Sequence, residues 1–164
     1  MPTSTPKGKT PRLVSTISMA LIGASLFLLF LSRDLSEGLQ DEWARENWGL
    51  VVRYVIAMLL GGAIMGYLLA SMFGHAGLGG WIWAFIGGLL STLVAGACGS
   101  LIGLLPDLLA DGWQAKDLVA ILFGFLVLPI AAAEKLGSSV IWLAAVAATH
   151  VLSKYVRSKL RKRV

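Results

Sequence analysis

Glu134 is the only acid inside a long apolar run of this sequence, and Lys135 follows it directly. A carboxylate in such a setting is a natural carrier of a proton or a cation. The plainer reading is a turn: Gly137 would end one helix, and Ser138 or Ser139 would cap the next. His75 in GHAGLGG (74–80) and His150 late in the last apolar run carry imidazole nitrogens of the kind that hold heme or a chlorophyll-type pigment. No second ligand stands at a spacing that pairs with either. The plainer readings are a turn residue for His75 and an interfacial or packing residue for His150. Cys98 is the single cysteine, so no disulfide forms within the chain, and it reads as a small packing residue. Asp107, Asp111 and Asp117 are spaced like solvated loop charges. CxxC, GxSxG and a metal-ligand cluster are all missing, and GHAGLGG has no lysine to pair with phosphate. These residues imply no enzyme, no metal and no particular cofactor.

The elements that carry them belong to a membrane. The 164 residues are 57% hydrophobic and only 14% charged, against about 25% charged in a soluble domain. The apolar residues come in unbroken blocks without the polar face that a soluble helix or strand needs. The net charge of +5 does not point to nucleic acid, because the basic residues flank the blocks. Lys7, Lys9 and Arg12 precede the first. Lys154, Arg157, Lys159, Arg161, Lys162 and Arg163 follow the last. Charges so placed set orientation and meet anionic lipid headgroups.

Five blocks are long enough to approach a bilayer core of about 30 Å: 13–32, 50–73, 81–105, 118–133 and 136–153. The first follows a basic, proline-containing tail (1–12) expected to be disordered, and it reads as an uncleaved signal anchor. Residues 33–49 are the most polar. Leu35, Leu39, Trp43 and Trp48 give them the pattern of a short helix lying at the membrane surface. The turn 74–80 makes blocks two and three a hairpin, and Arg53 is placed to reach the interface. Pro106 is expected to open a loop over 106–117, with Trp113 as its anchor. Pro129 is placed to kink the fourth block. The basic end, 154–164, continues the last helix out to the headgroups. The fold class is therefore an all-α integral membrane bundle of four or five transmembrane helices.

The count turns on Glu134–Lys135. If both 118–133 and 136–153 cross, the ends of the chain lie on opposite sides and the ion pair reaches an interface. If only one crossing is made there, both basic ends lie on one side and the pair stays in the membrane or at a re-entrant break. Lys and Arg on the inner side number nine for four crossings and ten for five, which does not decide. The cost of an ion pair in hydrocarbon favours five. Either way the positive-inside rule puts the C-terminus in the cytoplasm, the flanking charges fitting a bacterial inner membrane.

The strongest pattern lies in the third block. Gly87, Ser91, Ala95, Gly99 and Gly103 recur every four residues, and Gly88, Thr92, Gly96 and Ser100 run beside them. Gly62, Gly66 and Ala70 repeat the spacing in the second block. Small residues at this spacing let membrane helices approach closely. They serve either packing within the hairpin or an interface with a partner. The expected function is a non-catalytic accessory or assembly subunit of a larger membrane complex. The alternative is a homo-oligomeric channel or small transporter using the third span and Glu134. The expected partners are lipids and other membrane subunits, or further copies of the chain.

Overall fold

A computed structural model describes residues 9–34, 48–134 and 136–161. All regular structure there is helical: α1 (Lys9–Asp34), α2 (Trp48–Leu68), a 3-10 turn (Ala70–Met72), α3 (Gly77–Asp111), α4 (Ala115–Ala133) and α5 (Leu136–Arg161). Each α-helix contains a stretch long and apolar enough to span a membrane. The protein is an integral membrane helical bundle. The expected surface helix at 33–49 lies outside the described residues, apart from its two ends. Trp48 opens α2 and is exposed.

Several boundaries differ from those expected. Residues 9–12, expected in a disordered tail, are helical, and 1–8 lie outside the described residues. The hairpin turn is 69–76, because Gly77 begins α3. Gly74 and Gly77 take φ of 83° and 78°, a left-handed geometry that needs glycine. Pro106 opens no loop: α3 runs through it to Asp111. A proline removes one N–H and leaves the rest of the helix intact, so a helix can pass it. The loop is only 112–114, and Gly112 ends α3 with φ 74°. Asp117 is not a wet loop charge. It is buried, and its Oδ2 accepts the Gln114 N–H at 2.8 Å in a capping box that starts α4.

The chain passes the bundle four times with these five helices. α1 and α2 are antiparallel: Arg12 meets Tyr67 at one end, and Phe27 stacks on Tyr54 toward the other. α3 returns beside α2, with Gly61 on Ala95 and Cys98, and Gly103 on Tyr54. α4 then runs back along α3. Its Gly124 meets Gly96 and Ser100, and its Ala132 borders a cavity with Leu89 and Thr92. α5 continues in the same sense. Trp142 reaches Thr92, Val146 lies on Gly88, His150 stacks on Trp81, and Arg157 reaches Ala70. As numbers rise in α4, and again in α5, the partner numbers fall. α4 and α5 are thus two parts of one interrupted crossing, and both described ends of the chain share one side.

The core is built mostly of medium-sized apolar side chains, among them Met19, Leu26, Met58 and Leu128, each at most 2% exposed. Around it the small residues bring backbones together. On the outside Leu21, Ile56, Ile82, Leu122 and Ile141 are exposed, as a surface solvated by lipid requires.

Candidate functional site

The interruption lies between Ala133 and Leu136. Glu134 keeps helical angles (φ −63°, ψ −36°) and its N–H still bonds Ile130 O at 2.8 Å, but α4 goes no further. α5 starts beside this end. Ser139 Oγ donates to Ala132 O at 2.8 Å, across seven residues, and so takes up a carbonyl left over by α4. Gly137 does not end a helix, since it lies in the first turn of α5. Pro129, one turn before the break, has no N–H for the Phe125 carbonyl and weakens α4 near its end.

Depth follows from α3. Ala132, Ala133, Ser139 and Trp142 border one cavity of about 320 Å³ with Phe85, Leu89 and Thr92. Thr92 lies close to the midpoint of α3, which spans Gly77–Asp111. The break is therefore near the middle of the bundle's height. Glu134 is exposed there, on the outer surface rather than in the core. Lys135 lies outside the described residues.

Trp142, a residue that neither charge nor spacing singles out, is the anchor of the second half. Its indole Nε1 donates to Thr92 Oγ1 at 3.0 Å, and Thr92 Oγ1 donates to Gly88 O at 2.7 Å. Phe85 meets the indole edge-on at 5.5 Å. A lone tryptophan in mid-span, away from the interfacial belt, is the signal that would have found it.

The two small-residue rows face different helices of the same chain. In the first, Gly87 faces Met72 and Phe73 of the turn, Ala95 faces Gly61 of α2, Gly99 faces Met58 and Gly103 faces Tyr54. Ser91 in this row is buried, with no partner for its hydroxyl among the described residues. In the second, Gly88 faces Val146 of α5, and Gly96 and Ser100 face Gly124 of α4. Gly62 and Gly66 do not answer α3, as their spacing implied. They meet the backbone of Met19 and Ser15 in α1, and Gly61 supplies the α3 contact. Ala70 lies in the 3-10 turn, buried.

At the end shared by the chain termini, α5 holds the α2–α3 turn. Gly74 N–H donates to His150 Nδ1 at 3.2 Å, and Arg157 Nη2 donates to Ala70 O at 2.9 Å. His150 is 1% exposed and lies 4.6 Å from the Trp81 ring, so its imidazole is committed to packing and to the turn. His75 is exposed in that turn. Arg157 thus turns toward the protein, whereas Lys154 and Lys159 are exposed. Arg161 is helical, and Lys162 and Arg163 lie outside the described residues. Arg12 is exposed at the same end and lies over the Tyr67 ring at 5.3 Å. At the opposite end Arg53 Nη1 donates to Gly103 O at 3.3 Å.

Among the described residues, no three His, Cys, Asp or Glu side chains gather as a metal site. What the arrangement offers instead is a carboxylate at a helix break, at mid-height on the outer face. No protein-family model matches the chain, and neither a curated protein nor a solved structure matches it.

Proposed function

We propose that the protein is a non-catalytic accessory or assembly subunit of a larger membrane complex, an energy-transducing or transport assembly in a bacterial inner membrane. One observation carries this reading: Glu134 is exposed at mid-height, on the face where α4 gives way to α5. Glu134 has an interaction within the chain, yet an ionisable side chain on a lipid-facing surface still costs more there than under protein. A neighbouring subunit over the break removes that cost, because it replaces lipid by protein or trapped water. The partner surface then centres on the α4–α5 break rather than on the small-residue rows, which face helices of this chain. The shared end bearing Arg12, Lys154, Arg157 and Lys159 is the cytoplasmic one by the positive-inside rule.

The test is purification of the tagged protein at native level in mild detergent, followed by sizing and mass spectrometry. The reading requires other membrane proteins at fixed ratio, and their loss on Glu134→Lys. Recovery of the chain alone as a monomer contradicts it.

The interruption also favours a second reading, a homo-oligomeric channel or small transporter. Broken helices at mid-membrane are recurrent features of ion and substrate sites in transporters. In that case the chain is recovered alone as a symmetric oligomer. Glu134→Gln then abolishes flux without loss of insertion.

A further inference from the structure

A groove runs between α1 and α5 on the outside of the bundle. Ser18, Ser25 and Leu29 line it from α1, and Ile141, Ala148 and Leu152 from α5. Its volume is about 260 Å³. Leu21, Ser25, Ile141, Ala148 and Leu152 are exposed along it, so it opens sideways to the membrane. Trp142 and Leu26 also line it.

Its length and its ends identify an occupant. Along α5, from Ile141 to Leu152, the groove rises roughly 16 Å at about 1.5 Å per residue. That is close to half of a hydrocarbon core of about 30 Å, the depth of one leaflet. The α5 wall thus starts near mid-membrane, at Ile141 and Trp142 beside Thr92, and rises to Leu152, while the α1 wall centres on Gly23, which packs on Ala95. Beyond Leu152 the same face of α5 presents Tyr155 and then Lys159, three and seven residues on, both exposed. Lys154, two residues past Leu152, lies on the other side of α5, against Gly74 of the α2–α3 turn. An apolar slot whose α5 wall is one leaflet deep and leads to an exposed lysine matches an acyl chain joined to an anionic headgroup.

We propose that the α1–α5 groove is a specific site for an anionic phospholipid of the leaflet at the shared end. One acyl chain lies along Ser25 and Ala148, and the phosphate meets Lys159. The site is independent of any partner at the α4–α5 break. Two features separate it from the general coat of lipid. The groove is bounded by two helices, so a chain in it touches protein on more than one side. Lys159 adds a preference for negative headgroups, about a fivefold factor near the surface.

The experiment uses the full-length protein in detergent, titrated with phosphatidylglycerol or phosphatidylcholine of the same acyl chains. Native mass spectrometry counts retained lipid. Phosphatidylglycerol is expected to be retained as one tightly held molecule, and phosphatidylcholine to be held at least about fivefold more weakly. Lys159→Glu should erase that preference. Ala148→Trp should displace the lipid by filling the slot, while Leu109→Trp, on the exposed far end of α3, should not. If Ala148→Trp does not fold, Leu152→Trp fills the upper slot in its place. Equal retention of both lipids overturns the proposal. So does a groove-filling variant that still keeps phosphatidylglycerol.

Discussion

Trp142 Nε1 lies 3.0 Å from Thr92 Oγ1, and this hydrogen bond ties the second half of an interrupted crossing to the middle of the small-residue helix. It is a buried polar contact between α5 and α3 at mid-height. Trp142→Phe should keep most of the ring packing and lose the bond, costing about 1 kcal/mol. Trp142→Ala should cost about 3–5 kcal/mol, because the indole also fills space beside Phe85 and the core. Unfolding in mixed micelles measures both. Thr92→Val added to Trp142→Phe should cost less than the two changes summed, since either one already removes the bond.

The glycines of α3 are not equivalent. A Cβ at Gly96 would collide with the Gly124 carbonyl, which is backbone and cannot swing aside. Nothing lies within 4 Å of a Cβ at Gly79. Gly96→Leu should therefore destabilise the bundle by several kcal/mol or force α4 away from α3, as overpacking does at its upper limit. Gly79→Leu should leave it unchanged. Thermal aggregation in detergent separates the two, and equal behaviour would remove close backbone packing from the account.

Nδ1 of His150 holds the Gly74 amide at 3.2 Å in a turn with left-handed φ. His150→Phe keeps a flat ring against Trp81 and leaves that amide without its acceptor, at a cost of about 1–3 kcal/mol. Hydrogen exchange at Gly74 should quicken markedly in this variant, while amides in the middle of α3 keep their protection. Arg157→Gln, which shortens the reach to Ala70 O, should loosen the same turn.

Much of this fold was legible as residue pattern. The apolar blocks locate all five helices, since length and hydropathy are local properties. The rows at 87–103 and 88–100 mark helix faces, because small residues at four-residue spacing line up on one side. What they face was not legible. Gly62 and Gly66 share the spacing of α3 but pack on α1, and adjacent Gly61 takes the α3 contact. Spacing places a face and says nothing of its neighbour. Pro106 and Pro129 each lie within a helix, and the chain breaks instead at Glu134. Proline removes one donor, while a charged pair in an apolar run alters where the chain can leave hydrocarbon. The direction of α5 depends on long-range contacts, Trp142 with Thr92 and Arg157 with Ala70, that no local pattern encodes. Glu134 stood out by charge alone, but its position on the outer face needed the packing of three helices.

The central claim is that α4 and α5 make one interrupted crossing, with Glu134 at mid-height. Single cysteines in a Cys98→Ala background, probed with membrane-impermeant maleimide from each side of sealed vesicles, test it most directly. His75→Cys and Lys159→Cys should label from the same side, and Trp113→Cys from the other, as all three positions are exposed. Glu134→Cys should be refractory from both sides. Labelling of Glu134→Cys on the side of His75→Cys, with Lys159→Cys on the opposite side, would show two full crossings and contradict the account.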